Sequence, residues 1–161
     1  MRSPVKIYTV HVCDEEDWRD EYEFENWMDR HETLASIVPE YLEILKWLKI
    51  ASSGRRNLST LLREEQKAHA FPPKARFLEL DFQEHLRLYC MLIGQKTIIL
   101  FNGAIKSKGK HSAQECTVVK PFFDEANRLC SGLEKAIRNQ ELDVDYETGE
   151  LRNIDDSEIL I

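Results

Sequence analysis

Residues 76–111 read RFLELDFQEHLRLYCMLIGQKTIILFNGAIKSKGKH. Two opposed faces alternate at its start, with Phe77, Glu79 and Asp81 on one side and Leu78, Leu80 and Phe82 on the other. From Leu86 to Ile93 the chain is apolar almost throughout, with Arg87 set into it. Gly94-Gln95-Lys96 is a turn signal, and Thr97 to Phe101 is a second apolar, β-branched run. This is the pattern of adjoining antiparallel strands. Asn102-Gly103 then predicts a break or a bulge. Beyond it stand Lys106, Lys108, Lys110 and His111. An arginine held in a buried-strand pattern beside a basic strand exit points to a site that grips phosphate.

Outward from this stretch, Val5 to Val12 alternates with period two and predicts an opening strand. Asp14 is placed to cap a helix entered through Glu15, Glu16 and Asp17. Within that helix Phe24, Trp27, Met28 and His31 share a face, and Trp18 and Trp27 are expected to pack in a core rather than stack on bases. Pro39 suits the first turn of a second helix, with Tyr41, Leu42, Leu45, Trp47 and Leu48 on its apolar side, ending near Ser52-Ser53-Gly54. Leu58, Leu61 and Leu62 predict a short third helix to about Ala68, and Phe71-Pro72-Pro73-Lys74 an extended linker. A long helix is expected from about Ala113, capped by Ser112 and kinked or interrupted at Pro121. Leu142 to Ile154 reads as a small hairpin turning at Thr148-Gly149.

The chain has 161 residues, 42% apolar and 32% charged, which is the material of one globular domain or one domain with an appendage. No apolar run approaches the roughly 20 residues that span a bilayer, and the N-terminus leads into a strand rather than a signal peptide. Cys13, Cys90, Cys116 and Cys130 have no paired spacing, the usage of a reduced, cytoplasmic protein without a zinc site. The net charge of −7 is unevenly spread. Residues 43–112 hold thirteen basic against six acidic side chains, while residues 140–161 hold one against eight. A basic middle can steer an anionic partner on a protein that is acidic overall.

The strand pair carries a family resemblance. Leu78-Glu79-Leu80, Arg87-Leu88-Tyr89, the Gly94-Gln95 turn and Ile98-Ile99-Leu100-Phe101-Asn102-Gly103-Ala104-Ile105-Lys106-Ser107-Lys108 resemble the C-terminal half of the RelE/HigB-type toxins of bacterial toxin–antitoxin modules, in their phage-derived HigB-like branch. About a quarter of the chain is covered well. The resemblance implies an α+β, RelE-like fold: an N-terminal strand, two or three helices, an antiparallel β-sheet and a C-terminal helix over residues 1–139. Residues 140–161 would add an acidic hairpin or tail. It implies an endoribonuclease that needs neither metal nor cofactor and cleaves messenger RNA, free or on the ribosome, under control of a cognate antitoxin. A homodimer is left open; a membrane is not implied.

Cleavage by a neighbouring 2′-hydroxyl needs a base, an acid and cations that stabilise charge building on phosphorus. Arg87, Lys106 and His111 are the catalytic candidates. Arg87 would clamp the phosphate with two parallel hydrogen bonds, and His111 titrates near neutrality. Lys108, Lys110, His85 and Tyr89 are candidates for substrate binding. Each has a plainer reading: an Arg87 salt bridge to Glu79 or Asp81, a solvated lysine turn, a helix-preceding His111, a core-packed Tyr89. Two features depart from the family. The usual adjacent lysines are split as Lys106-Ser107-Lys108, and the chain is acidic. A non-catalytic binding protein, as in the ParE branch that inhibits DNA gyrase, or a degenerate homologue, is the alternative. The acidic end invites one further expectation, that it folds back over the basic cleft, against the simpler one of a solubilising tail.

Overall fold

The computed structural model describes residues 3–12, 22–74, 85–106 and 117–153. It is mixed α+β, with three helices and a mostly antiparallel sheet. In chain order come β1 (Lys6–Thr9), α1 (Glu23–His31), α2 (Val38–Ser52), a single 3-10 turn at Leu58–Thr60, β2 (Arg63–Glu65) and β3 (Ala68–Phe71). There follow β4 (His85–Leu86), β5 (Leu88–Ile93), β6 (Thr97–Leu100), β7 (Ile105–Lys106), α3 (Lys120–Arg138), β8 (Leu142–Val144) and β9 (Leu151–Asn153). The main sheet runs β1-β6-β5-β3-β2, antiparallel except for the parallel β1–β6 pair.

Alternation along β5 divides the core into two layers. Leu88 and Cys90, with Ile98 and Leu100 of β6, face α1 and α2, where Trp27, Ile37, Tyr41, Ile44, Trp47 and Leu48 meet them. Tyr89, Met91, Ile93, Ile99 and Phe101 face α3, which offers Phe123, Ala126, Leu129, Cys130, Leu133 and Ala136 at helical spacing. A strand buried on both faces reads as a nearly unbroken apolar run. Arg87 is the exception to that run. Among the described residues no helix is long and apolar enough to cross a membrane.

Several expectations are met. The Gly94–Lys96 turn closes β5 onto β6 with Gly94 at φ +59°, and Gly149 turns the C-terminal hairpin at φ +83°. Pro39 lies in the first turn of α2, and Trp27 is fully buried. Others are corrected. The third helix expected from Leu58 to Ala68 is instead one 3-10 turn followed by a β-hairpin. Asn57 caps that turn by accepting from Ser59 N–H, and Gln66 takes a left-handed φ of +64° at the next reversal. Leu58, Leu61 and Leu62 are buried, and a spacing of three and four over so short a run also fits a loop that drops its leucines into the core.

Residues 117–119 form a turn, and Pro121 lies in the first turn of α3 instead of kinking a longer helix, because proline's missing N–H costs nothing there. Leu42 is 56% exposed, and Ile44 takes the core position on α2. The expected start of α1 at Asp14–Asp17, Trp18, and the strand over 77–82 lie outside the described residues.

Candidate functional site

The ladder joining β4–β5 to β6–β7 changes register partway along. Cys90 pairs with Leu100, whereas Leu86 pairs with Ile105, so four steps on one strand match five on the other. The extra residue sits opposite Tyr89. Phe101 N–H donates to Tyr89 O at 2.9 Å, and Tyr89 N–H donates to Asn102 O at 3.0 Å. Arg87 N–H then donates to Ala104 O at 3.0 Å, resuming the ladder. This is a β-bulge at Phe101–Asn102.

A bulge reverses which face later residues present, because the side-chain period in a strand is two. Phe101 lies on the α3 side, and past the bulge Ala104 lies there too, while Ile105 packs on the α2 side. Lys106 therefore stands on the α3 side, directly opposite His85. Arg87, two residues beyond His85 and two before Tyr89, shares that face. Diagonal neighbours of this kind are about 7–8 Å apart, so Arg87 and Lys106 are neighbours on one face, with Arg87 Nη1 donating to Leu86 O at 3.2 Å. Without the bulge Lys106 would point to the opposite side of the sheet. Gly103 makes the close passage feasible, since a β-carbon there would lie 1.9 Å from Arg87 O.

Exposure rises along this face. Tyr89 is fully buried with its ring edge-on to Phe123, Arg87 is 5% exposed, and His85 and Lys106 are half-buried. The buried phenol of Tyr89 is thus placed to support Arg87 rather than to touch a substrate. The Arg87 main chain is held from α1 and from Ala104, just ahead of β7: Trp27 Nε1 donates to Arg87 O at 3.0 Å, and Arg87 N–H donates to Ala104 O. Glu40 of α2, itself buried, accepts from Leu86 N–H at 3.1 Å.

A second buried arginine, which the sequence reading passed over, completes the cluster. Arg63 of β2 pairs with Ala70, and Ala70 with Tyr89, so all three lie on one face. Its Nε donates to Pro72 O at 2.7 Å. Burial, and then repulsion from Arg87, push the Arg63 pKa down to about 10, with Glu65 and Tyr89 acting against the fall. Burial also lowers the Arg87 pKa, opposed by Glu65, Tyr89 and Glu40. Two desolvated guanidinium groups close enough to oppose each other are costly in isolation. Glu65, and Glu40 at Arg87, offset part of that cost. The usable signal for Arg63 was the alternation of Arg63 and Glu65 before the small residues Ala68 and Ala70, which is a strand pattern rather than a helical one.

Lys108, Lys110 and His111, and the carboxylates Glu79 and Asp81 weighed as partners of Arg87, lie outside the described residues. Of the three catalytic candidates, Arg87 and Lys106 are brought together, with His85 as the histidine beside them. The acidic hairpin is placed elsewhere. Thr97 Oγ1 donates to Gly149 O at 2.8 Å, Leu151 N–H donates to Tyr8 Oη at 3.1 Å, and Leu142 is buried in the α3 layer. These contacts anchor β8–β9 at the Gly94–Thr97 end of the sheet. That is about 20 Å along β5 from Arg87 at 3.3 Å per residue. Residues 142–153 therefore do not cover the arginine cluster, and the fold-back expectation is corrected for them. The chain finds no match among family models, curated proteins or solved structures.

Proposed function

We propose that the protein is an endoribonuclease of the RelE/HigB toxin type, cleaving messenger RNA at a site built on Arg87, Lys106 and His85, with Arg63 behind them. The single observation that carries this reading is the bulge at Phe101–Asn102, which turns Lys106 onto the face of His85 and Arg87. The order of a strand, two helices, antiparallel strands and a helix supports it. So does the basic stretch that continues past Lys106 to His111.

In the proposed reaction the 2′-hydroxyl attacks the adjoining phosphorus, its proton passes to a base, and the 5′-oxygen leaves with a proton from an acid. The products are a 2′,3′-cyclic phosphate and a 5′-hydroxyl. In this reading His85 carries one proton transfer, a role worth about 10²–10⁴-fold. Arg87 and Lys106 stabilise the charge that grows on the phosphoryl oxygens, where a single preorganised donor contributes about 10²–10³-fold. His111 and the lysines at 108 and 110 would extend the same site. The partners that go with this reading are a cognate antitoxin and messenger RNA, on the ribosome or free, in the cytoplasm.

The burial of Arg87 favours a second reading, a binding protein of ParE-like type that grips a partner without cutting RNA. Incubating the full chain with translated and with free messenger RNA separates the two. Cleavage leaving cyclic phosphate ends, slowed about 10²–10³-fold but still measurable in Lys106→Ala and reduced in His85→Gln, is expected. Tight RNA or protein binding with intact RNA would overturn the enzymatic reading in favour of the second.

A further inference from the structure

We propose that Arg30 of α1 is a positioning residue for this site, pinning the bulge that aims Lys106. The proposal rests on the endoribonuclease reading. A bulge leaves backbone groups without ladder partners, and here Asn102 O is used by Tyr89 N–H while Gly103 O points off the ladder. Arg30 takes it: Nη2 donates to Gly103 O at 2.6 Å and also to Asn102 Oδ1. Asn102 Oδ1 accepts in addition from Gly103 N–H at 2.9 Å, and Asn102 Nδ2 donates to Glu23 Oε2 at 2.8 Å.

The far side of the guanidinium is fixed as well. Its central carbon lies 4.5 Å over the Phe122 ring of α3, within the range of a cation–π contact. Arg30 thus ties α1, the bulge and the start of α3 at Asn102 and Gly103, the two residues that precede Ala104, whose carbonyl receives Arg87 N–H. A planar guanidinium holds its donors in a rigid fork while its flat face stacks on the ring; the compact ammonium of lysine, on a flexible stem, has neither the fork nor the face. Arg30 touches none of the proposed reacting groups. It acts by fixing the turn from which Lys106 departs, and a displacement of about 1 Å at a reacting group can cost on the order of 10²-fold in rate.

The test is a double-mutant cycle on the full chain, measuring kcat and KM on one oligoribonucleotide with unfolding curves to fix the folded fraction. Arg30→Lys is expected to lower kcat about 10- to 100-fold with a smaller change in KM. In the Lys106→Ala background the same substitution is expected to add less than about twofold, the scatter of independent sites. Asn102→Ala, which removes the shared acceptor, should behave the same way and serves if Arg30→Lys does not fold. A full, additive loss in both backgrounds, or no loss at all, overturns the proposal while leaving the site reading intact. Undiminished cleavage by Lys106→Ala alone would instead sink the reading of the site, and the proposal with it.

Discussion

Gly103→Ala puts the smallest side chain where two strands pass closest. The new β-carbon would lie 1.9 Å from Arg87 O, 2.7 Å from Arg87 C and 3.1 Å from Leu88 Cα, all backbone atoms that no rotamer change can move. Real β-carbons essentially never come within 3.0 Å of such atoms, so the strands must part by about 1 Å. The hydrogen bonds from Arg87 N–H to Ala104 O and from Tyr89 N–H to Asn102 O, both 3.0 Å, would then stretch past useful length. Each buried amide left unsatisfied costs about 1–3 kcal/mol, giving about 2–6 kcal/mol for the two. Against a total stability of about 5–15 kcal/mol, that is a large fraction. With a urea slope of about 2 kcal/mol per molar, the midpoint should fall by about 1–3 M. Gly94→Ala is the control. Its strain comes from φ +59°, and the Tyr146 ring carbon 3.0 Å away can swing aside, so a loss of only about 1–2 kcal/mol is expected. A Gly103→Ala midpoint within about 0.3 M of wild type, at unchanged slope, would refute the close-passage account of the bulge.

Four further outcomes are expected. Arg63→Met removes a desolvated charge that repels Arg87, together with the hydrogen bond to Pro72, and RNA binding should weaken in a chain that still folds; urea unfolding beside RNA titration checks this, and unweakened RNA binding counts against it. The folded-state pKa of Arg63, about 10, lies below its ordinary value, so its penalty is present in full at neutral pH and fades only as pH rises above about 10; any stability advantage of Arg63→Met should accordingly hold up to about pH 10 and shrink above it. Burial lowers the His31 pKa below 6.5, against its contact with Trp27 O, so the unfolded chain takes up that proton first and stability falls as pH drops from about 6.5; His31→Gln should lessen the slope of unfolding free energy between pH 7 and 5, and an unchanged slope contradicts this. Truncation after Glu141 should destabilise the protein by uncovering the layer that Leu142 completes, without raising RNA affinity; tighter RNA binding by a stable truncated chain would restore the fold-back idea.

The β5–β6 hairpin was legible because apolar, β-branched runs flank a glycine turn, and both faces of these strands are in fact buried. Asn102-Gly103 was legible as a break or bulge, but its consequence for Lys106 was not. Which face a lysine presents depends on counting register across two strands, and register is a property of the pair. The parallel docking of β1 on β6 brings Lys6 opposite Thr97, and no local pattern in either segment announces it. Arg63 was missed because three leucines ahead of it mimic one helical turn, and tertiary burial overrode that spacing. Arg30 was unreadable for the opposite reason. It lies on the polar side of α1, and only the folded chain shows that Gly103 O and the Phe122 ring wait for it.

The most direct measurement follows the side-chain nitrogen signals of Arg87, Lys106 and His85 by NMR while the full chain is titrated with a 2′-O-methyl oligoribonucleotide, which binds but offers no attacking hydroxyl. All three should shift together with one affinity, and Arg63 with them. Movement confined to other surfaces, or Arg87 and Lys106 responding with different affinities, would contradict a shared phosphate between them.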